Sequence, residues 1–209
     1  MKVKLSNRIL WWVFGILSIG VGLYPLLYFI IDRKFGLLGT KSEILLSDLI
    51  WNVGFYTHII LGGLALGIGW MQFSNRLRTK RLQLHRTIGK IYVIAVLLSG
   101  ITGLYIGYHA TGGWIPALGF MSLAVVWLYT TTGAFIAIKK GQVDKHQKLM
   151  IYSYACCFGA VTLRIWLPLL IVLYEGAFIP AYRIVAWLAW VPNILVAYFI
   201  IRRLHPKRA

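Results

Sequence analysis

Six long apolar stretches constrain the fold of this chain more than any other feature of its sequence. Hydrophobic residues make up 59% of the 209 positions and charged residues only 13%, and each stretch exceeds the roughly 20 helical residues that cross a bilayer. Because lipid-facing backbone must satisfy its own hydrogen bonds, such stretches are expected to be α-helices. The sequence therefore predicts an all-α polytopic membrane bundle of six transmembrane helices, with spans at Ile9–Ile31, Leu49–Phe73, Ile88–Tyr108, Ile115–Ile138, Leu149–Tyr174 and Ala181–Ile201.

The distribution of basic residues predicts the orientation of this bundle. The formal net charge is +17, and 17 of the 22 lysines and arginines lie near the two chain ends or around the loops that follow the second and fourth spans. An excess of this kind marks cytoplasmic segments, so both termini are predicted to be cytoplasmic. Anionic lipid headgroups are then the expected partner of the positive charge. This distribution argues against nucleic-acid binding.

Short loops predict a single domain over residues 1–209, in which successive helices pack as antiparallel neighbours. The second and third spans form a hairpin around SNRLRTKRLQLHRT, and the fourth and fifth form another around KKGQVDKHQK. Both loops are basic, and each is followed by a histidine at the start of the next helix. A weak internal repeat is one interpretation, and ordinary membrane topology is the other.

The histidines that follow these two loops are the first candidate site. His85 and His146 lie next to basic loops, at the starts of the third and fifth spans. If the two helices are neighbours, both imidazoles lie at one depth near the cytoplasmic surface. Two neutral imidazoles placed in this way can hold a haem iron, a transition metal or the polar head of a quinone. The alternative is a pair of ordinary interfacial residues.

Helical periodicity also predicts which faces of the second and third spans turn inward. Small and polar residues recur on one face of each helix, and small residues allow helices to approach closely. The two faces consist of His58, Gly62, Ala65, Gly69 and Gln72 on the second span, and His85, Gly89, Tyr92, Ser99 and Gly103 on the third.

Arg164 is the second candidate, because it lies within the fifth span, roughly 14 Å from its outer end. A charge at this depth normally faces a partner, a cavity or a bound anion. His58 lies at a similar depth, while Asp48 and Glu175 lie at outer helix ends. A ligand carboxylate, such as a haem propionate, and the carbonyls of a helix break near Pro168 are further alternatives. Helical spacing places Arg164 on the stripe of His146, five turns along the fifth span.

Several catalytic motifs are missing from the sequence. The chain has no P-loop, HExxH motif, nucleophile elbow or glycine-rich dinucleotide loop, and none of its five acidic residues lies in the apolar core of a span. These absences argue against hydrolysis, ATP-driven work and proton-coupled transport. They leave open whether the protein is an enzyme.

A set of motifs resembles a family of predicted prokaryotic membrane proteins, Domain of Unknown Function 2306. The segments are FYTHIILGGLALGIGWMQF, HRTIGKIY, ATGGWIPALGF, DKHQKLMIYSYA with TLRIWLP, and AWLAWVPN. The resemblance covers about residues 50–195 and includes His58, His85, His146, Arg164 and the run Trp190-Val191-Pro192-Asn193. It implies a helical membrane fold in a bacterial inner membrane, and it implies no reaction.

A looser likeness is to transmembrane b-type cytochromes of the ascorbate and ferric reductase kind, which have six spans and histidines on the central four. His85 and His146 match one ligand pair of those proteins. The second pair is incomplete, because the fourth span, IPALGFMSLAVVWLYTTTGAFIAI, contains no histidine. The likeness therefore implies at most one haem.

These observations lead to one functional hypothesis and two alternatives. The hypothesis is a redox or ligand-binding membrane protein that holds haem b or a quinone through His85 and His146, with His58 and Arg164 at a second polar site. The first alternative is a non-enzymatic subunit or assembly factor of a respiratory complex, with a membrane-protein partner or a homo-oligomeric state. The second is a transporter of a small solute.

Overall fold

The computed structural model describes residues 5–31 and 36–204, with side chains from residue 8 onward. All regular structure in these residues is helical. The α-helices are α1 (Leu5–Leu23), α2 (Leu27–Ile30), α3 (Glu43–Ser47), α4 (Leu49–Gly69), α5 (Asn75–Lys80), α6 (Leu82–Tyr108), α7 (Trp114–Lys139), α8 (Val143–Cys157), α9 (Gly159–Leu173), α10 (Phe178–Leu188) and α11 (Val191–Leu204), and short 3-10 helices cover Tyr24–Leu26, Gly36–Thr40 and Trp70–Phe73.

The predicted six-span architecture is confirmed. Six helical segments in the described residues are long and apolar enough to cross a membrane: Arg8–Ile30, Leu49–Phe73, Leu82–Tyr108, Trp114–Lys139, Val143–Leu173 and Phe178–Leu204. The third and fifth spans begin six residues earlier than predicted. Apolar runs stop at the first charged residues, whereas helices continue through lysine, arginine and glutamine, which are good helix formers.

The second to fifth spans pack in chain order, and α4 also contacts α8, so these four spans form a closed bundle. The first span packs against α4, and the last span packs against α7, α8 and α9. The core contains Leu66, Tyr92, Trp127 and Tyr154. Large apolar side chains such as Ile30, Val172 and Tyr129 are strongly exposed, as expected for a surface in contact with lipid.

We call the end of the bundle that carries the loops at residues 74–81 and 140–142 the basic end. The predicted cytoplasmic location of this end remains a prediction. Six of the basic residues on which this prediction rests lie outside the described residues, namely Lys2, Lys4, Arg33, Lys34, Lys207 and Arg208.

At the opposite end, residues 36–48 fold back over the bundle. Leu38 and Leu46 are buried against Trp51 and Phe55. The Lys41 ammonium donates a hydrogen bond to the backbone carbonyl of His109. This segment therefore packs as part of the domain.

The fifth and sixth spans are each interrupted near their middle. The fifth divides into α8 and α9 at Phe158, and the sixth divides into α10 and α11 at residues 189–190. The Asn193 side-chain amide joins the two interruptions by donating to the carbonyls of Ala155 and Ala189 and to the Thr162 hydroxyl, at 3.3, 3.0 and 3.1 Å. The helical hydrogen-bond ladder is interrupted at this point, and the carbonyl of Ala155 accepts from a side chain of another span.

Candidate functional site

A layer of buried hydroxyl groups joins three spans of the central bundle. The Tyr92 hydroxyl is hydrogen-bonded to Ser153 Oγ at 2.8 Å, and Thr131 Oγ1 is hydrogen-bonded to the same Ser153 oxygen at 2.7 Å. All three side chains are fully buried. We call Tyr92, Thr131 and Ser153 the hydroxyl layer. It sets the register of α6 and α8 relative to each other.

His85 and His146 lie at one depth below this layer. His85 is seven residues before Tyr92 on α6, and His146 is seven residues before Ser153 on α8. Each histidine is therefore about 10.5 Å from the layer, towards the basic end. Each also donates the first backbone hydrogen bond of its helix, to the carbonyl of Arg81 or Gln142. The equal depth predicted from the sequence is consistent with this geometry.

The His146 ring is held by a neighbouring helix. Its Nδ1 lies 2.9 Å from the backbone carbonyl of Ala134 on α7. A carbonyl only accepts hydrogen bonds, so Nδ1 carries the proton, and Nε2 of the neutral imidazole retains its lone pair. Histidines that bind metals are commonly oriented in this way, through the second ring nitrogen.

The His85 ring has a buried polar atom without a partner. Its Nδ1 is inaccessible to solvent and makes no hydrogen bond. The imidazole is close enough to His146 for a positive charge on one ring to repel a charge on the other, and Arg78 and Arg86 act on it in the same sense. Unpartnered buried polar atoms are uncommon and require an explanation, such as a ligand or a water molecule.

Gln72 is a third polar group in this region, and sequence reasoning did not identify it as a binding residue. Its side chain is 9% exposed, and both amide atoms are buried without a hydrogen-bond partner. Three residues earlier, Gly69 meets Tyr92 and Tyr154 so closely that an added methyl group would overlap both rings. Gln72 therefore lies on the face of the second span that meets α6 and α8, one turn nearer to the basic end than Gly69.

The face of α6 that carries His85 is open next to this histidine. Gly89 lies one turn before Tyr92, and a methyl group added there would meet no atom within 4 Å. We call Gln72, His85 and His146 the basic-end site. Within the described residues, no group of three or more histidine, cysteine or acidic side chains has metal-binding geometry.

His58 lies elsewhere and has its own partners. Its Nδ1 donates to the backbone carbonyl of Ser99 at 2.8 Å, and Ser99 Oγ donates to the carbonyl of His58 at 2.9 Å. A methyl group added at Gly103 would approach the His58 ring at 2.9 Å. His58 therefore joins the second span to the third, on the inward faces that the sequence predicted.

Arg164 makes different contacts from those expected. Its guanidinium lies over the Tyr24 ring, 4.1 Å from the centroid, and one nitrogen donates to the carbonyl of Ala160 at 2.9 Å. Among the described side chains, no hydrogen bond joins Arg164 to His58. The sequence-based second polar site therefore divides into two separate environments.

The stripe predicted to run from His146 to Arg164 is interrupted at Phe158, the single residue between α8 and α9. The helix is therefore not regular over the whole five turns. His146 contacts α7, whereas Arg164 contacts the first span. The two residues therefore belong to different parts of the bundle.

The fold and the lipid-exposed apolar surface define a six-span helical membrane protein. Residues 55–201, well over half of the chain, match the family described as predicted membrane protein DUF2306. The chain belongs to this family, whose description assigns no activity, and the family resemblance seen in the sequence motifs is confirmed. No curated protein and no solved structure matches the chain significantly.

Proposed function

We propose that this membrane protein binds a quinone at the basic-end site and takes part in membrane redox chemistry. The observation that carries the proposal is the set of unpartnered buried atoms, which are the two amide atoms of Gln72 and Nδ1 of His85. Leaving such atoms without partners costs stability. A ligand with its own hydrogen-bonding head group would remove that cost.

The chemistry of a quinone matches these groups. A quinone head has two carbonyl oxygens that accept hydrogen bonds, and the Gln72 amide and a protonated His85 Nδ1 are donors. In the quinol form the head donates instead, and Nε2 of His146 is a suitable acceptor because Nδ1 donates to Ala134. The isoprenoid tail of the ligand would lie in the surrounding lipid.

Haem b is the second candidate, and the orientation of His146 favours it. With Nδ1 donating to a backbone carbonyl, Nε2 of His146 would be free to bind the iron of a haem, and His85 lies at the same depth on α6. When bound, a haem would supply one-electron transfer. The residues His85 and His146 would hold its iron, and Gln72 would have no direct role.

Spectroscopy and extraction distinguish these candidates. The protein is purified from its native membrane in a mild non-ionic detergent, its visible spectrum is recorded, and bound quinone is extracted and quantified. The proposal predicts about one quinone per chain, lost in His85→Ala and retained in the control His109→Gln, which changes a histidine at the opposite end. A Soret band that disappears in His146→Ala would assign haem b. Neither ligand, with a respiratory complex co-purifying, would favour the assembly-factor alternative.

We also propose that the protein resides in a bacterial inner membrane with both termini in the cytoplasm. The support is the charge at the basic end, where Lys80, Arg81, Lys139 and Lys140 lie in or next to the two connecting loops. Fusions of a fluorescent protein and of alkaline phosphatase to the C-terminus test this orientation. Fluorescence without phosphatase activity is expected, and the reverse pattern would contradict it.

A further inference from the structure

Arg164 presents a charge within the membrane-spanning part of α9. It lies nine residues before the end of that helix at Leu173, which corresponds to about 14 Å. The side chain is half-buried, and its Nε atom is buried without a hydrogen-bond partner. A guanidinium has five N–H donors, and the contacts with Ala160 and Tyr24 use only part of this capacity.

The described acidic residues do not neutralise this charge. Asp48 is engaged as the N-cap of α4, where its carboxylate accepts from the backbone N–H groups of Ile50 and Trp51. Asp144 lies at the basic end of the bundle. None of the described carboxylates forms an ion pair with Arg164, so the negative partner expected for a charge at this depth is missing from the described part of the protein.

Two tyrosines border the guanidinium on the side away from the basic end. The Tyr24 ring lies under the guanidinium, and the Tyr28 ring packs against Tyr24 with the two ring centroids 6.0 Å apart. Their hydroxyl groups converge beneath Gly36, each 3.7 Å from the position that a methyl group would take on that residue. Arg164 and the two phenols therefore lie close together between the first span and α9, and Gly36 of the segment at residues 36–48 lies against the phenols.

We propose that Arg164 and Tyr24 bind the carboxylate of a single-chain lipophilic acid that enters from the lipid phase. A carboxylate matches the planar fork of a guanidinium and pairs with it through two parallel hydrogen bonds. A monoanionic carboxylate matches the single positive charge of Arg164, and the position of Arg164 within the span requires the rest of the ligand to be apolar. This site is separate from the basic-end site and does not depend on the function proposed there.

Equilibrium binding of radiolabelled oleate to the full-length protein in non-ionic detergent tests this proposal. One saturable site is expected, with affinity at least about tenfold lower in Arg164→Gln. The control Arg183→Gln removes another arginine near the same end, whose Nε already donates to the carbonyl of Gly112, and its affinity is expected to be unchanged. If Arg164→Gln does not fold, Arg164→Lys is tested in its place. It keeps the positive charge but lacks the two parallel N–H donors of the guanidinium, so weaker oleate binding is again expected.

Competition identifies the source of the oxyanion. Unlabelled oleate is expected to displace the label, while phosphatidylglycerol and the zwitterionic phosphatidylcholine are expected to compete poorly. Equal oleate affinity in the wild type and in folded Arg164 variants would overturn the proposal. Complete displacement by phosphatidylglycerol would also overturn it, because the bound group would then be a lipid phosphate.

Discussion

Tyr92 and Ser153 share a buried hydrogen bond of 2.8 Å, and each lies seven residues after one of the two basic-end histidines. The hydrogen bond fixes the relative height of α6 and α8. Equal spacing along both helices then places His85 and His146 at one level. The sequence shows only that the two histidines have similar neighbours. The Tyr92–Ser153 hydrogen bond explains why they lie at the same level.

The hydroxyl layer is expected to contribute to stability. Replacing Ser153 by alanine leaves the Tyr92 and Thr131 hydroxyls without their shared partner. The free energy of unfolding is expected to fall by about 1–2 kcal/mol, the range for a buried interhelical hydrogen bond and its unsatisfied remnants. Unfolding in mixed detergent micelles measures this value. The control Ser47→Ala, at an exposed helix end, is expected to change it little, and an equal loss in both variants would contradict the assignment.

Close contact between the first and second spans depends on Gly63 of α4 and Gly22 of α1. A Cβ atom on Gly63 would lie 2.5 Å from the backbone oxygen of Gly22, whereas a Cβ on Gly67 would meet nothing within 4 Å. Gly63→Ala is therefore expected to destabilise the protein by about 1–3 kcal/mol through overpacking. Gly67→Ala, one turn along the same helix, is expected to have little effect. The same unfolding assay compares them, and a larger loss in Gly67→Ala would be inconsistent with this packing.

Lys41 is expected to make the stability of the folded protein depend on pH in the alkaline range. Burial lowers the pKa of the Lys41 ammonium from 10.5 to about 8. Below pH 8 this lysine is charged in the folded and unfolded states, and the folded state bears the cost of burying the charge. Between about pH 8 and 10.5 the unfolded state binds more protons, so stability from this group rises with pH.

The matched variant for this effect is Lys41→Met, which keeps the length of the side chain and removes the charge. The melting temperature of the wild type relative to Lys41→Met is expected to rise between pH 8 and 10. A difference that stays constant over this range, or that falls, would show that Lys41 is not buried as described.

Replacing Gln72 is expected to stabilise the ligand-free protein, as is typical of a polar residue that serves a ligand and not the fold. Replacing it by leucine removes two buried polar atoms that have no partner. In ligand-free protein, Gln72→Leu is therefore expected to be more stable by about 1 kcal/mol, since an unsatisfied buried group costs roughly 1–3 kcal/mol. A loss of stability in the ligand-free protein would indicate that the amide has a structural role instead.

Much of the fold follows from the sequence because lipid imposes simple rules. Apolar length predicts the six spans, and helical periodicity predicts the inward face that carries Gly69 and Tyr92, both of which are buried. The basic loops before the third and fifth spans place His85 and His146 at equivalent helix starts. These features depend on local spacing, which one sequence contains.

The remaining features depend on contacts between distant segments. The turn at Phe158 is accompanied by a hydrogen bond from Asn193, 38 residues away from its acceptor Ala155, and no local pattern predicts this. The partner of Arg164 is Tyr24, from the first span. Gln72 was placed on the correct face, but its lack of partners is visible only when all neighbouring side chains are known.

If Gln72, His85 and His146 form one quinone-binding site, the purified protein must bind a short-chain quinone through these three side chains. Quenching of intrinsic tryptophan fluorescence reports the affinity during titration. One saturable site is predicted, with affinity reduced at least about tenfold by Gln72→Leu and by His85→Ala, and unchanged by His109→Gln. Equal affinity in all four proteins, or no saturable binding by the wild type, would contradict the account.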